Sequence, residues 1–122
     1  MTRIHLSAED TACCCLAKAF LEKNYANNHT IDRLARQVGI NQDKLKKGFK
    51  SVYNITIHRF VTSIRIEKAK ELLEVTDVPI EHIAYKLGKD HSNLIKQFKR
   101  HTGCTPKVWR RSKKDRDLGY AV

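Results

Sequence analysis

Apolar residues recur at helical spacing along the whole chain, and the pattern reads as about seven helices. Ser7 opens the first, with Asp10 three residues on as a capping-box acid. Ala12, Cys13, Leu16, Ala19 and Phe20 form its apolar stripe up to about Ala26, and Asn27-Asn28-His29 breaks it. Thr30 then caps a short helix with Ile31, Leu34, Ala35 and Val38 on one face, ended by Gly39. Asn41 caps a helix from Gln42 to about Tyr53, with Leu45, Phe49 and Val52 inward. Asn54 follows, a residue that tolerates the left-handed conformation at a helix end. A longer helix, capped by Thr56, runs to about Val75, and ~20 residues make a rod of roughly 30 Å. Its apolar set (Ile57, Phe60, Val61, Ile64, Ala69, Leu72, Leu73) is broad enough to pack on both flanking units. Pro79 then takes a first-turn position, where its missing N–H costs nothing, and a short helix ends at Gly88. Asp90 caps the next helix, with Leu94 and Phe98 inward. Thr105-Pro106 starts a terminal helix carrying Trp109, and beyond Arg111 the segment SKKDRDLGYAV lacks periodicity and is expected to fray.

The plan is written twice. Residues 30–60 align without a gap on 79–109, an offset of 49, with eight of 31 positions identical. The identities are Ile31/Ile80, Ala35/Ala84, Gly39/Gly88, Leu45/Leu94, Lys47/Lys96, Phe49/Phe98, Lys50/Lys99 and Thr56/Thr105. Asp32/Glu81, Leu34/Ile83, Val38/Leu87 and Phe60/Trp109 are similar. The matched apolar positions build a core, and most of the matched charges are basic.

Charge narrows the partner. The 122 residues hold 24 Lys+Arg against 13 Asp+Glu, a net charge of +11. Ten Lys/Arg and a single acid, Asp90, fall between Lys86 and Lys114, whereas 67–81 is acid-rich. Uniform solubilising charge does not segregate in this way, and a nucleic-acid surface is favoured over acidic protein or membrane partners. No apolar run is long enough to span a bilayer, and the N-terminus has no signal-peptide core. The expected setting is the cytoplasm of a bacterium, on the nucleoid when bound, with no membrane partner.

Catalysis and metal binding lack a basis. Cys13, Cys14 and Cys15 are consecutive, so on a helix they diverge by about 100° each and cannot converge on one ion, and no C-x-x-C spacing exists. They are expected to be small apolar fillers rather than a thiol sensor. The six histidines never fall three to five apart, and no phosphate-loop glycine pattern occurs. Neither catalytic nor metal-binding residues are assigned, and no cofactor is expected.

Each repeat is a short helix, a Gly-containing turn and a second helix, the pattern of a helix-turn-helix, whose second helix offers its N-terminal residues to base edges in the major groove. With Leu45 and Phe49 inward, Gln42, Asp43, Lys46, Lys47 and Lys50 point away. With Leu94 and Phe98 inward, His91, Ser92, Ile95, Lys96 and Lys99 do the same, Asn93 sits at the edge, and Arg100 adds a further cation. Gln and Asn can pair bidentately with adenine, Lys can donate to guanine, and Ile95 can meet a thymine methyl. Lys50, Lys99 and Arg100 are better placed for phosphates. Asp43 has three readings: acceptor from cytosine, partner of a neighbouring Lys, or complement to the helix N-terminus. Gly48, inside the same helix, either permits close approach of a neighbouring helix or is merely tolerated. Arg65 is either a structural ion pair or carbonyl cap, or a phosphate contact. Trp109 is expected in the core.

These residues resemble the DNA-binding domain of the AraC/XylS transcription regulators over about residues 8–111. The resemblance rests on Leu34-Ala35, GIN (39–41) and KLKKGFK (44–50), then Arg65, Ala69 and Leu72-Leu73. It continues through Ile83-Ala84, the Gly88 turn, QFKR (97–100), Gly103 and Thr105-Pro106. The phrase GINxxKLKxGFK most resembles a subgroup that controls iron-siderophore uptake. The family implies an all-α fold of two helix-turn-helix subdomains (7–55 and 77–111) joined by a long central helix (56–76), followed by a flexible basic tail (112–122). It also implies two recognition helices in adjacent major grooves of duplex DNA, about one turn or ~34 Å apart. RNA polymerase is an expected further partner. The fragment is expected to be monomeric and excised from a longer regulator whose N-terminal effector or dimerisation domain is missing, against a stand-alone regulator. The alternative function is a non-sequence-specific basic nucleic-acid-binding or architectural protein. Two departures from the family stand out: Lys89 replaces a usual aromatic, and the second turn is one residue shorter. They predict a second unit that is either less stable or rotated about its recognition helix.

Overall fold

Seven helices form among residues 6–117, the part of the chain that the computed structural model describes. They are α1 (Ala8–Lys23), α2 (Ile31–Val38), α3 (Gln42–Tyr53), α4 (Ile57–Val75), α5 (Ile80–Lys86), α6 (His91–Thr102) and α7 (Pro106–Asp117), with no strand among the described residues. The chain divides into two units, 1–61 and 62–122, the division falling within α4.

In the first unit local chemistry sets the helix ends. Ser7 Oγ accepts from the Asp10 N–H at 3.0 Å and Asp10 Oδ2 accepts from the Ser7 N–H at 3.1 Å, a reciprocal capping box. That hydrogen bond from Ser7 holds the Asp10 carboxyl below its ordinary value. Thr30 Oγ1 accepts from Arg33 N–H at 3.1 Å, and Thr56 Oγ1 from Arg59 N–H at 3.2 Å. Asn54 ends α3 in the left-handed conformation, φ 59°. The core gathers Leu34, Ala35, Leu45, Phe49 and Ile57 with Cys14, Ala17 and Leu21 of α1.

The buried face of α1 is not the expected one. Ala12, Leu16 and Ala19 are exposed, Leu16 by 59%, while Cys14, Ala17 and Leu21 are buried. The cause lies in α3, where Gly48 is buried and presents bare backbone to α1. A Cβ there would lie 3.0 Å from Cys14 Sγ and 3.1 Å from Leu6 Cδ2. The glycine therefore serves close approach, and only a small α1 residue fits opposite it. Val52 is also out of place: it is 40% exposed, and Tyr53 packs its ring on Phe49 instead, centroids 4.8 Å apart. Helix α1 stops at Lys23, before Ala26, because the Asn24 side chain donates to the Phe20 carbonyl at 2.9 Å.

The second unit buries Ile66, Ala69 and Leu73 of α4 with Ile83, Ala84, Leu87, Leu94 and Phe98. Pro79 stands at the N-cap of α5, one place ahead of the first-turn position. Trp109 meets Phe98 edge-on at 5.7 Å, and the Lys70 ammonium lies over the indole at 5.3 Å. Helix α7 continues past Arg111 to Asp117, where fraying was expected. Two side chains fasten it: Arg110 Nε donates to the Leu73 carbonyl at 3.2 Å, and Lys114 pairs with Asp77 at 2.9 Å. Residues 118–122 of the expected tail lie outside the described residues.

Gly48→Ala is expected to destabilise the chain. The new methyl gains about 1 kcal/mol of helix propensity but meets the fully buried Cys14, an overpacking cost of roughly 1–3 kcal/mol. In urea denaturation, adding Cys14→Ala should recover stability in the Gly48→Ala background, a favourable coupling in a double-mutant cycle. Additive losses would show that the Gly48 contact with Cys14 is not the limiting one.

Candidate nucleic-acid interface

The two turns that precede the second helices are built alike. In the first, Gly39 takes φ 80°, a value L side chains rarely adopt, and the Ile40 N–H donates to the Ala35 carbonyl at 3.1 Å. In the second, Gly88 takes φ 72° and the Lys89 N–H donates to the Ala84 carbonyl at 3.0 Å. Asn41 Oδ1 accepts from the Lys44 N–H, and Asp90 Oδ1 from the Asn93 N–H, each at 2.8 Å. Every one of these donors, acceptors and glycines is 49 residues from its counterpart.

With the same start and the same buried pair, α3 and α6 expose equivalent faces. Leu45 and Phe49 are buried in α3, Leu94 and Phe98 in α6. Gln42, Asp43, Lys46, Lys47 and Lys50 are exposed on the first helix. His91, Ser92, Asn93, Lys96, Lys99 and Arg100 are exposed on the second, and Ile95 is half-buried. The predicted residues of each unit therefore share one solvent-facing surface of one helix. Asp43 pairs with Lys47, Oδ2 to Nζ 3.2 Å, which takes up one of the lysines expected at the surface. Lys44 is held back by Asp10 at 3.5 Å. Lys46 and Lys96 form no ion pair among the described residues.

Two acids escaped assignment from sequence. Asp32 accepts from Gln42 Nε2 at 3.1 Å through Oδ1 and lies 3.4 Å from Arg36 through Oδ2. Its repeat counterpart Glu81 lies 4.0 Å from His91 Nδ1. The available signal was the matched Asp32/Glu81 position in the first turn of each first helix.

Residues 34–112 match the model of a helix-turn-helix domain family. An uncharacterized helix-turn-helix transcriptional regulator from the cgkA 5′ region of Pseudoalteromonas carrageenovora is 37% identical over 97 residues, 79% of this chain and 57% of the relative. The raffinose operon transcriptional regulatory protein RafR of Pediococcus pentosaceus is 32% identical over 98 residues, 80% of this chain and 35% of that protein. Among solved structures, the C-terminal domain of AraT, a response regulator from Geobacillus stearothermophilus, is 27% identical with a TM-score of 0.79, and the match covers 88% of each chain. The chain belongs to the AraC/XylS family of transcription regulators. It is a sequence-specific DNA-binding domain of helix-turn-helix type, a binding module and not an enzyme. It spans about half the length, or less, of these curated relatives.

Against the AraC/XylS pattern the second turn is the informative part. Lys89 occupies the place of Ile40, which packs against the core in the first unit. The Lys89 side chain is half-buried, and burial, followed by the charge of Arg65, lowers the pKa of its ammonium. Even so, Leu94 and Phe98 hold the buried positions of α6 and Asp90 its cap, as Leu45, Phe49 and Asn41 do in α3. Arg65 itself is 6% exposed, and burial lowers its own pKa, which puts it inside the second unit rather than on a phosphate-facing surface. Cys14 is buried and its thiol pushed up by burial, hence an inert core filler. Among the described residues no group of His, Cys, Asp and Glu is placed to hold a metal, and no helix is long and apolar enough to cross a membrane.

Lys89→Ile should stabilise the chain by on the order of 1 kcal/mol at pH 7 through apolar burial. The lysine's folded pKa lies below its unfolded value, so the charged form is penalised by folding at low and neutral pH. That penalty is relieved as pH rises through the folded value toward 10.5, so the stability gap in thermal melts should narrow there. A gap that widens toward pH 10 would contradict this placement. For the interface, Lys46→Ala with Lys96→Ala should weaken DNA binding and, since each ammonium held in a groove displaces a counterion, reduce the slope of log K against log salt by about two units. An unchanged slope would remove both lysines from the DNA surface.

Proposed function

We propose that the protein regulates transcription by inserting α3 and α6 into adjacent major-groove segments of one duplex, each unit reading its own segment. The carrying observation is the repeated helix, capped at the equivalent position and by the same type of bond, with an equivalent exposed polar and basic face in each unit. In this reading Gln42, Lys46, Lys47, His91, Ser92, Asn93, Ile95 and Lys96 approach base edges, where amide, ammonium and aliphatic groups each have a matching base. Lys50, Lys99 and Arg100 contact phosphates and set register. Asp43 acts through Lys47, restraining it by the ion pair at 3.2 Å rather than reading a base.

The working division is 7–55 and 77–111 as the two binding subdomains, with 56–76 linking them. Contact of the whole protein with RNA polymerase belongs to the same proposal, supported by relatives named as transcription regulators. So does action of this domain as a monomer.

Selection from random duplex should return a defined site, and nuclease protection on it should cover about 20 bp on one face. Competition separates this from a non-specific architectural role. Unselected duplex should compete at least ~1000-fold less well than the selected site at physiological salt. Equal competition by every duplex would defeat the regulator reading.

A further inference from the structure

The acids on α2 and α5 raise a question that the basic surface does not answer. A negative side chain beside a DNA-facing helix opposes binding, yet one stands at the matched position of each unit, Asp32 and Glu81. In each case it faces the first residue of the recognition helix, Gln42 or His91. Both members of each pair are 49 residues from their counterparts, although the residue types differ in both members. Nothing in the helix-turn-helix backbone requires this contact, since the turns are closed by main-chain bonds and by Asn41 and Asp90.

We propose that Asp32 and Glu81 are positioning residues for base readout, each fixing which polar atoms the first residue of its recognition helix offers to DNA. This rests on the major-groove reading of α3 and α6. A carboxylate only accepts hydrogen bonds, so Asp32 Oδ1 at 3.1 Å fixes the Gln42 amide with its NH2 group inward. One of the two Nε2 hydrogens is then used, and the second remains beside Oε1. That leaves one donor and one acceptor side by side, the pair that matches adenine N7 and N6. Asp32 Oδ2 lies 3.4 Å from Arg36, and this contact restrains the carboxylate in turn. Glu81 lies 4.0 Å from His91 Nδ1, beyond hydrogen-bond reach but on the Nδ1 side of the ring, which leaves Nε2 as the ring atom on offer. The first unit then presents a donor–acceptor pair and the second a single nitrogen. The two half-sites are therefore read differently at the base pair nearest the helix start.

The test is a base-preference profile, which a merely structural acid would not alter. The full chain is measured on a duplex selected from random sequence by the wild type, and on all its single-base-pair variants. Asp32→Ala should reduce discrimination at one base pair by roughly three- to tenfold, the loss expected when a glutamine side chain is no longer pre-ordered. Other positions keep their ranking, and affinity for unrelated duplex rises because an acid near phosphates is gone. In a Gln42→Ala background, Asp32→Ala should leave the profile unchanged. Asp32→Asn, whose Oδ1 still accepts, should keep most of the discrimination, with circular dichroism checking the fold of each variant. A wild-type profile retained in Asp32→Ala, or an equal loss with Gln42 already removed, would overturn the positioning role while leaving the regulator reading intact. A wild-type chain without any base preference would instead overturn the regulator reading, and the positioning role with it.

Discussion

Everything at the proposed DNA-facing surface depends on one backbone constraint, the left-handed glycine that ends the first helix of each unit. Gly39 and Gly88 turn the chain so that the next N–H reaches back to the carbonyls of Ala35 and Ala84. Two residues after each glycine a side-chain cap starts the second helix, and its rotation about its own axis is then fixed by two buried anchors one turn apart. Which side chains face outward is a consequence of those anchors, not a separate design feature. A β-carbon at either glycine would be strained at these φ values whatever space surrounds it.

The second unit shows that this constraint outranks the residue beside it. Lys89 stands where Ile40 fills the core edge, and its ammonium is partly desolvated next to Arg65. Even so, the turn closes at nearly the same distance as in the first unit and the α6 anchors stay buried. A partly desolvated ammonium in this place leaves the turn and the α6 anchors as they are in the first unit. The buried and capping positions of α6 are therefore those of α3.

Legibility followed the range of the interaction. The limits of α3 were readable because Asn41 and Asn54 act on backbone groups within a few residues. The outward faces of α3 and α6 were readable because Leu45, Phe49, Leu94 and Phe98 are large and unambiguous. Helix α1 was misread because its candidate faces are all small or weakly apolar, and Gly48, far along the chain, decides between them. The end of α7 depends on Asp77 and the Leu73 carbonyl, neither near it in sequence. The contacts of Asp32 and Glu81 were hidden for the same reason. Their positions were visible in the repeat, but their partners were not.

In the proposed function two separate helices, α3 and α6, read bases in the major groove. Its most direct test is methylation interference at guanine N7 on a duplex selected by the chain, since that atom lies in the major groove. Two distinct clusters of interfering positions are expected, with Lys46→Ala weakening the interference in one cluster and Lys96→Ala in the other. A single cluster, or interference insensitive to both substitutions, would contradict it.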